Sequence, residues 1–334
     1  MITSQDEEAS LVRWLFAEAI AYRNKGRPIR NRFALKWASH TRVHKILFSV
    51  FEKFDIPVTR SWYMWGGFVH SDVLQGTSFT SLRYSYSKNP RRALSLRRKV
   101  GRFGIPVDEM LETLYKYTDE VQSMPSKRFL LHYYRTEVPE EYRGLYVSKQ
   151  KLANHLYDLW NSKPTNITIL KKLIDKTRDA ISDFQESSLT FFDDAQLEYL
   201  NMCFVDIVEM PLDKIFLLSE EGKRISRSKL LFFKKAERTF NYFIWNPYAC
   251  KISQRTVRGL RADEERKKMR FIEKRTVKNC FGELENLEQE KEKKNLVLSW
   301  KEIQRYKKLT LKDRETAKVV SEILSIYSRG SDKE

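Results

Sequence analysis

Strand signals in this 334-residue chain are confined to one short neighbourhood, residues 58–86, while the other patterned segments repeat apolar residues at helical spacing. That distribution excludes a sheet-built core. The expected fold is mainly α, with a small β-hairpin near the N-terminus and helical middle and C-terminal regions. The cleanest helix covers 42–54. Projected at about 100° per residue, Val43, Ile46, Leu47, Val50 and Phe54 share one face, and Arg42, Lys45, Ser49 and Lys53 share the other. The projection predicts a buried stripe backed by a basic one. Asp55-Ile56-Pro57 then ends the helix, because a residue before proline is pushed out of the α region.

Residues 11–22 carry Leu11, Leu15, Ala19 and Tyr22 at the same spacing, and end before the loop "RNKGRPIRN". Further helices are predicted over 107–121, 149–160, 167–184, 194–208, 229–243, 263–278, 300–308 and 313–327. Asp193 with Gln196 three residues on reads as a capping box for one of them. "ELENLEQEKEKKN" reads as a solvated helix or linker, and no repeat of fixed period is present.

Charge divides the chain. Residues 1–110 hold 19 basic and 9 acidic side chains, residues 111–219 hold 13 and 17, and residues 220–334 hold 30 and 18. An acidic middle thus lies between basic ends, which sets expected boundaries at 1–104, 105–219 and 220–334. The net charge of +18 favours a polyanionic partner, either nucleic acid or an acidic protein. Two acid-free runs sharpen this. No acid falls between Glu18 and Glu52, and none between Asp72 and Asp108, where Phe79, Tyr84, Tyr86 and Phe103 are interleaved with arginines and lysines. The expected nucleic-acid contacts are Arg42, Lys45, Lys53, Arg83, Arg91, Arg92, Arg97, Arg98, Lys99 and Arg102, whose binding would weaken steeply with salt.

Other classes find less support. Hydrophobic residues make up 41% of the chain, enough for real cores. The three cysteines, Cys203, Cys250 and Cys280, are widely spaced and suggest neither a disulfide framework nor a zinc ribbon, as in a reducing compartment. Asp6, Glu7 and Glu8 stand where a secretory signal carries positive charge, and no apolar run reaches the roughly 18 residues of a membrane span. A cytoplasmic protein with no membrane partner is expected. His40 and His44 sit at i, i+4 without a third ligand. Asp194, Glu198, Asp206 and Glu209 allow a divalent-metal nuclease as an alternative, but solvated acids opposite Leu197, Leu200, Phe204 and Ile207 explain them more simply. No phosphate-cradling or dinucleotide loop occurs. A non-enzymatic role is favoured, with no cofactor and no metal.

The C-terminal third offers a second basic surface. In "SRSKLLFFKKAERTFNYFIWNPYACK" the aromatics recur near helical spacing and are assigned to packing, the lysines to solvent. "RADEERKKMRFIEKRTVK" is a basic helix suited to nucleic acid, to an acidic partner, or to the acidic middle of a second copy in a homo-oligomer.

The helix "RVHKILFSVFEKFDIP" followed by "VTRSWYMWGGFVHSDVL" resembles the Panacea antitoxin domain and related winged-helix-like proteins, over about residues 11–74. His44-Lys45-Ile46-Leu47-Phe48 stands for the family's helix motif, and Tyr63-Met64-Trp65-Gly66-Gly67-Phe68-Val69 for its aromatic turn, with Gly67 where many relatives carry proline. The resemblance implies a winged-helix-like N-terminal domain. In it, Trp62, Tyr63, Trp65, Gly66 and Gly67 form a structural turn, and the preceding helix serves DNA or protein recognition. Together these readings predict a regulatory or defence-related protein that binds nucleic acid, DNA before RNA. An antitoxin-like or adaptor protein with a protein partner is the alternative.

Overall fold

The computed structural model describes residues 5–23, 40–69, 101, 104, 106–124, 126–163, 165–191 and 193–310. Helices α1 (Gln5–Arg23) and α2 (His40–Lys53) precede a hairpin of β1 (Arg60–Tyr63) and β2 (Gly66–Val69). There follow α3 (Val107–Ser123), α4 (Ser126–Thr136), α5 (Glu140–Asn161) and α6 (Ile167–Ser188). The chain continues through α7 (Ala195–Glu220), α8 (Arg227–Thr239), α9 (Trp245–Thr256), α10 (Ala262–Lys293) and α11 (Trp300–Thr310). The protein is therefore mainly helical with one small antiparallel hairpin. Among the described residues no helix is long and apolar enough to cross a membrane.

Local chemistry explains the helix starts. Asn166 caps α6 by accepting from Ile169 N at 3.1 Å, and Ser226 accepts from Lys229 N ahead of α8. The cap of α7 is Asp194, which accepts from the N–H groups of Gln196 and Leu197 at 3.1 Å each. This corrects the assignment to Asp193. Helix α7 also runs on to Glu220 with Pro211 inside it, beyond the expected end at residue 208. Helices α4 and α9, and the first turns of α5, arise where no helix was expected. "ELENLEQEKEKKN" is helical nearly to its end, as part of α10. The expected helix at 313–327 lies outside the described residues.

Between α8 and α9 the chain widens into one π-helical turn, Phe240–Ile244, closed by Trp245 N donating to Phe240 O. Pro247 follows and has no N–H to give back to Phe243 O. The Cys280 thiol of α10 takes that carbonyl at 3.2 Å.

The hairpin has a two-residue turn, Met64-Trp65, and pairs Tyr63 with Gly66 and Arg60 with Val69. Helix α2 packs on β2 and α9 on β1. Arg60 joins the hairpin to the C-terminal third, because its N–H and C=O pair with Arg258 O and N at 3.0 and 2.9 Å. Its buried guanidinium binds Glu52 and the carbonyls of Ile56 and Val58, fixing the link that leaves α2. One continuous core runs from Leu11 to Leu296, so the three charge segments share an interior.

Candidate nucleic-acid interface and an enclosed lysine pair

The aromatic–glycine stretch is held by the helices around it. Three consecutive carbonyls of the turn each accept a side-chain hydrogen bond from a different helix. Tyr146 Oη of α5 donates to Tyr63 O at 2.8 Å, Trp245 Nε1 of α9 to Met64 O at 2.6 Å, and Lys45 Nζ of α2 to Trp65 O. Trp62 is 5% exposed and lies among Phe48, Tyr133 and Tyr146, with ring centroids 4.9, 5.7 and 6.0 Å away. Tyr63 donates to Asn246 Oδ1 at 3.3 Å, and its burial raises the phenol pKa. Gly66 has φ +98°, and a Cβ there would stand 3.0 Å from both Lys45 Nζ and Tyr134 Cε1. At Gly67 a Cβ would fall 2.5 Å from the Phe48 ring and 2.6 Å from Tyr133 Oη. Only glycines let the strand lie this close to α2 and α4.

Beneath the turn two lysines are buried. Lys45 is 1% exposed, its amine 4.9 Å from the Tyr133 ring centroid and 5.8 Å from that of Tyr134. Lys149 is 0% exposed, its amine 3.8 Å from the Trp65 ring centroid and 5.8 Å from that of Trp245. Among the described residues Lys149 Nζ has no hydrogen-bond partner and neither amine has a carboxylate in ion-pair reach. Desolvation pulls the Lys45 pKa down to about 7. Desolvation, reinforced by the Lys45 charge, pulls Lys149 well below the ordinary lysine value. Burial of an unpaired ammonium is expensive, and the aromatic faces offset only part of that cost.

A cleft of about 30 Å³ opens beside this enclosure, lined by Lys45, Ser49, Tyr117, Glu120, His132, Tyr133 and Glu137 among others. Burial, then the charge of Glu120, raises the Glu137 carboxyl above its usual range.

The expected contact residues of α2 are placed otherwise than on a basic solvent face. Lys45 is interior, which corrects its assignment to solvent: Tyr133 and Tyr134 of α4 and the carbonyl of Trp65 enclose its amine, while α3 packs along α2. Arg42 donates to the carbonyls of Val121 and Met124 at 2.8 and 3.0 Å, closing the end of α3, and lies over the Phe129 ring. Lys53 is half-exposed, bonded to Thr113 Oγ1 at 2.9 Å and 3.6 Å from Glu109. Arg83, Arg91, Arg92, Arg97, Arg98, Lys99 and Arg102 lie outside the described residues. His44 stacks on Phe68 and its Nδ1 accepts from Val69 N. Asp194 is a cap and pairs with Lys251. Among the described residues no group of three or more His, Cys, Asp or Glu side chains is placed to hold a metal ion.

An uncompensated basic surface among the described residues lies on α10. Its buried face is Glu265, Met269, Thr276, Cys280, Leu284 and Leu287. Spread over the other side of the helix, about 100–180° from the centre of that face at about 100° per residue, stand Lys267, Arg270, Lys274, Arg275 and Lys278, all exposed. None of the five has an acidic partner among the described residues. The one acid inside the run, Glu273, turns away to Lys251 at 3.2 Å and Gln254 Nε2 at 2.6 Å. Phe271 is 67% exposed within the stripe, and Phe281 at its end meets Tyr199 of α7, ring centroids 6.1 Å apart. The sequence already marked this segment as a basic helix. Which of its charges are free depends on where Lys251 and Gln254 of α9 lie.

These features define a class: a helical protein whose N-terminal hairpin is built into the same core as its C-terminal helices, with an exposed basic face on α10 that has no acidic partner among the described residues. The chain belongs to the family described as Domain of unknown function (DUF8098), whose model matches residues 108–324. The matched region begins after the hairpin and contains Lys149 and the α10 stripe, but not Lys45. No curated protein and no solved structure matches the chain.

Proposed function

We propose that this protein binds nucleic acid without acting on it chemically, and that the exposed face of α10 carries the contact. The observation that supports this reading is the row of five basic side chains with no acidic partner among the described residues, opposite the helix's buried face. Lys267 and Lys278 are separated by about 16 Å along the axis at about 1.5 Å rise per residue. That length suits the backbone edges of a duplex major groove, which is about 12 Å wide and admits an α-helix. Lysine and arginine on such a face bind phosphate and set register, while Phe271 lies against sugar or base edges. DNA is the favoured duplex, because the deep, narrow major groove of double-stranded RNA excludes side chains. The basic run of residues 83–102 would extend the same electrostatic attraction.

Fluorescence anisotropy of labelled duplex DNA, single-stranded DNA and RNA across a salt series tests this. Duplex binding that weakens as salt rises, and is lost when Lys267, Arg270, Lys274, Arg275 and Lys278 are changed to Ser, is the expected result. A folded protein that binds none of the three at low salt overturns it and points the stripe toward an acidic protein.

A further inference from the structure

We propose that the enclosure under the Met64-Trp65 turn is a binding site for a small phosphate-type dianion, held between the Lys45 and Lys149 amines with the Tyr134 hydroxyl as a third donor. This goes beyond the nucleic-acid reading, since the pair is buried and shares no residue with the α10 stripe.

Unused donors carry the argument. Lys149 Nζ and Tyr134 Oη are fully buried and have no hydrogen-bond partner among the described residues. Among the described residues Lys45 Nζ has the Trp65 carbonyl alone. Buried donors are normally paired, and two such groups converging with a second amine call for an acceptor-rich partner. The described residues supply little. Glu237, the carboxylate whose charge reaches Lys149, is bound to Trp160 Nε1 at 2.9 Å, and the walls are aromatic faces. A buried lysine that makes no hydrogen bond lowers stability without a structural return, and such placements concentrate at functional sites.

The chemistry selects the ligand. Two ammonium groups and a hydroxyl approach from different elements, α2, α5 and α4, which suits the several oxygens of a tetrahedral oxyanion. A dianion matches both amines once they are protonated, whereas a monocarboxylate leaves one charge unmatched. Access runs through the turn. Trp65 is half-buried at its apex, edge-on to the exposed Tyr242 ring at 6.3 Å, and its indole covers Lys149. Lifting that indole would bare the Lys149 amine, next to the cleft whose lining includes Lys45 and Tyr133.

Calorimetric titration of the full chain with inorganic phosphate, with a nucleoside 5′-monophosphate and with acetate tests the proposal. Phosphate is expected to bind and acetate not. Tighter binding of the mononucleotide would assign the site to a phosphomonoester, and equal or weaker binding to the free ion. Lys149→Met keeps the packing over Trp65 and is expected to weaken phosphate binding at least about tenfold, as for loss of a charge-assisted contact. Tyr134→Phe removes only a hydroxyl and is expected to weaken it several-fold. The five-Ser variant of α10 should keep phosphate binding, which separates this site from the proposed DNA contact. No heat from phosphate or mononucleotide with the folded protein, or unchanged binding in both the Lys149→Met and Tyr134→Phe variants, overturns it.

Discussion

Trp245 Nε1 donates to Met64 O at 2.6 Å, tying the apex of an N-terminal hairpin to a helix 181 residues later in the chain. The indole is itself 0% exposed and packs against Tyr146 and Tyr248. Trp245→Phe keeps most of that ring volume but leaves Met64 O without its donor. A loss of about 1–2 kcal/mol is expected, the usual effect of leaving a buried acceptor unpaired. Urea denaturation followed by far-ultraviolet circular dichroism reads it. An unchanged midpoint would mean that water replaces the indole at that carbonyl.

Gly67→Ala places a methyl 2.5 Å from the Phe48 ring and 2.6 Å from Tyr133 Oη, neither of which can retreat from the core. Overpacking of this kind destabilises by about 1–3 kcal/mol. Gly282→Ala, on the open side of α10 with nothing within 4 Å of the added Cβ, should be neutral or stabilising. The two midpoints, measured together, separate crowding from propensity.

How far the sequence reveals this arrangement depends on the range of the contact that decides each feature. Helix α2, its stop at Asp55-Ile56-Pro57 and the hairpin are legible because residues within a few positions determine them. Lys45 is not. Periodicity separates two faces of a helix but does not say that Tyr133, Tyr134 and Lys149, roughly 90–100 residues on, will cover the second one. Helix α4 escapes because "SKRFLLHYYRT" stands between prolines at 125 and 139 and is short. The expected end at residue 208 falls short because α7 passes through Pro211, where burial of Val208, Leu212 and Ile215 on either side outweighs one lost helical bond. The basic face of α10 was visible as composition. Its freedom from acid was not, because Glu273 is claimed by another helix.

Helix α11 is anchored by Glu302, which accepts from Lys214 Nζ of α7 and from Ser299 N and Oγ at 2.9 Å. Although partial burial opposes it, these bonds hold the carboxyl down to about 2. The folded pKa lies below the unfolded one, so the stabilisation is present above about pH 4.5 and is lost as pH falls towards 2. Glu302→Gln should therefore weaken the protein at pH 7 by about 1–2 kcal/mol and make little difference near pH 2. Chemical denaturation of both proteins at the two pH values checks this, and an equal difference at both would exclude the ionised bond as the anchor.

Under the proposed duplex contact, the five cations of the exposed α10 stripe would act independently on phosphate, so each should contribute to the salt dependence of binding. Changing Lys267, Lys274 and Lys278 to Ser should flatten the slope of log K against log salt by about 0.9 for each lysine that neutralises a phosphate. Phe271→Ala should leave the slope unchanged and weaken binding by a salt-independent factor. An unchanged slope in the lysine variant would move the phosphate contacts off α10.

The two enclosed lysines give the protein a pH signature of opposite sign to that of Glu302. Burial lowers the Lys45 pKa to about 7 from an ordinary 10.5, and burial with the Lys45 charge holds Lys149 well below the ordinary lysine value. Between about pH 7 and 10.5 the unfolded chain holds protons on these amines that the folded protein does not, so stability rises with pH. The slope is about 1.4 kcal/mol per pH unit for each such proton. Above about pH 9 the trend reverses, because burial raises the Cys250 and Cys280 thiols to about 12 and the Tyr133, Tyr134 and Tyr146 phenols above their ordinary range. Unfolding then releases protons from those groups. Thermal melting from pH 7 to 9 should accordingly show a rising midpoint. Lys149→Met should raise the midpoint at pH 7, since a well-packed apolar chain replaces an unpaired amine, and should reduce the slope by one proton. If the wild-type midpoint is flat across that range, the amines keep their protons in the folded state and the lowered lysine pKa values are excluded.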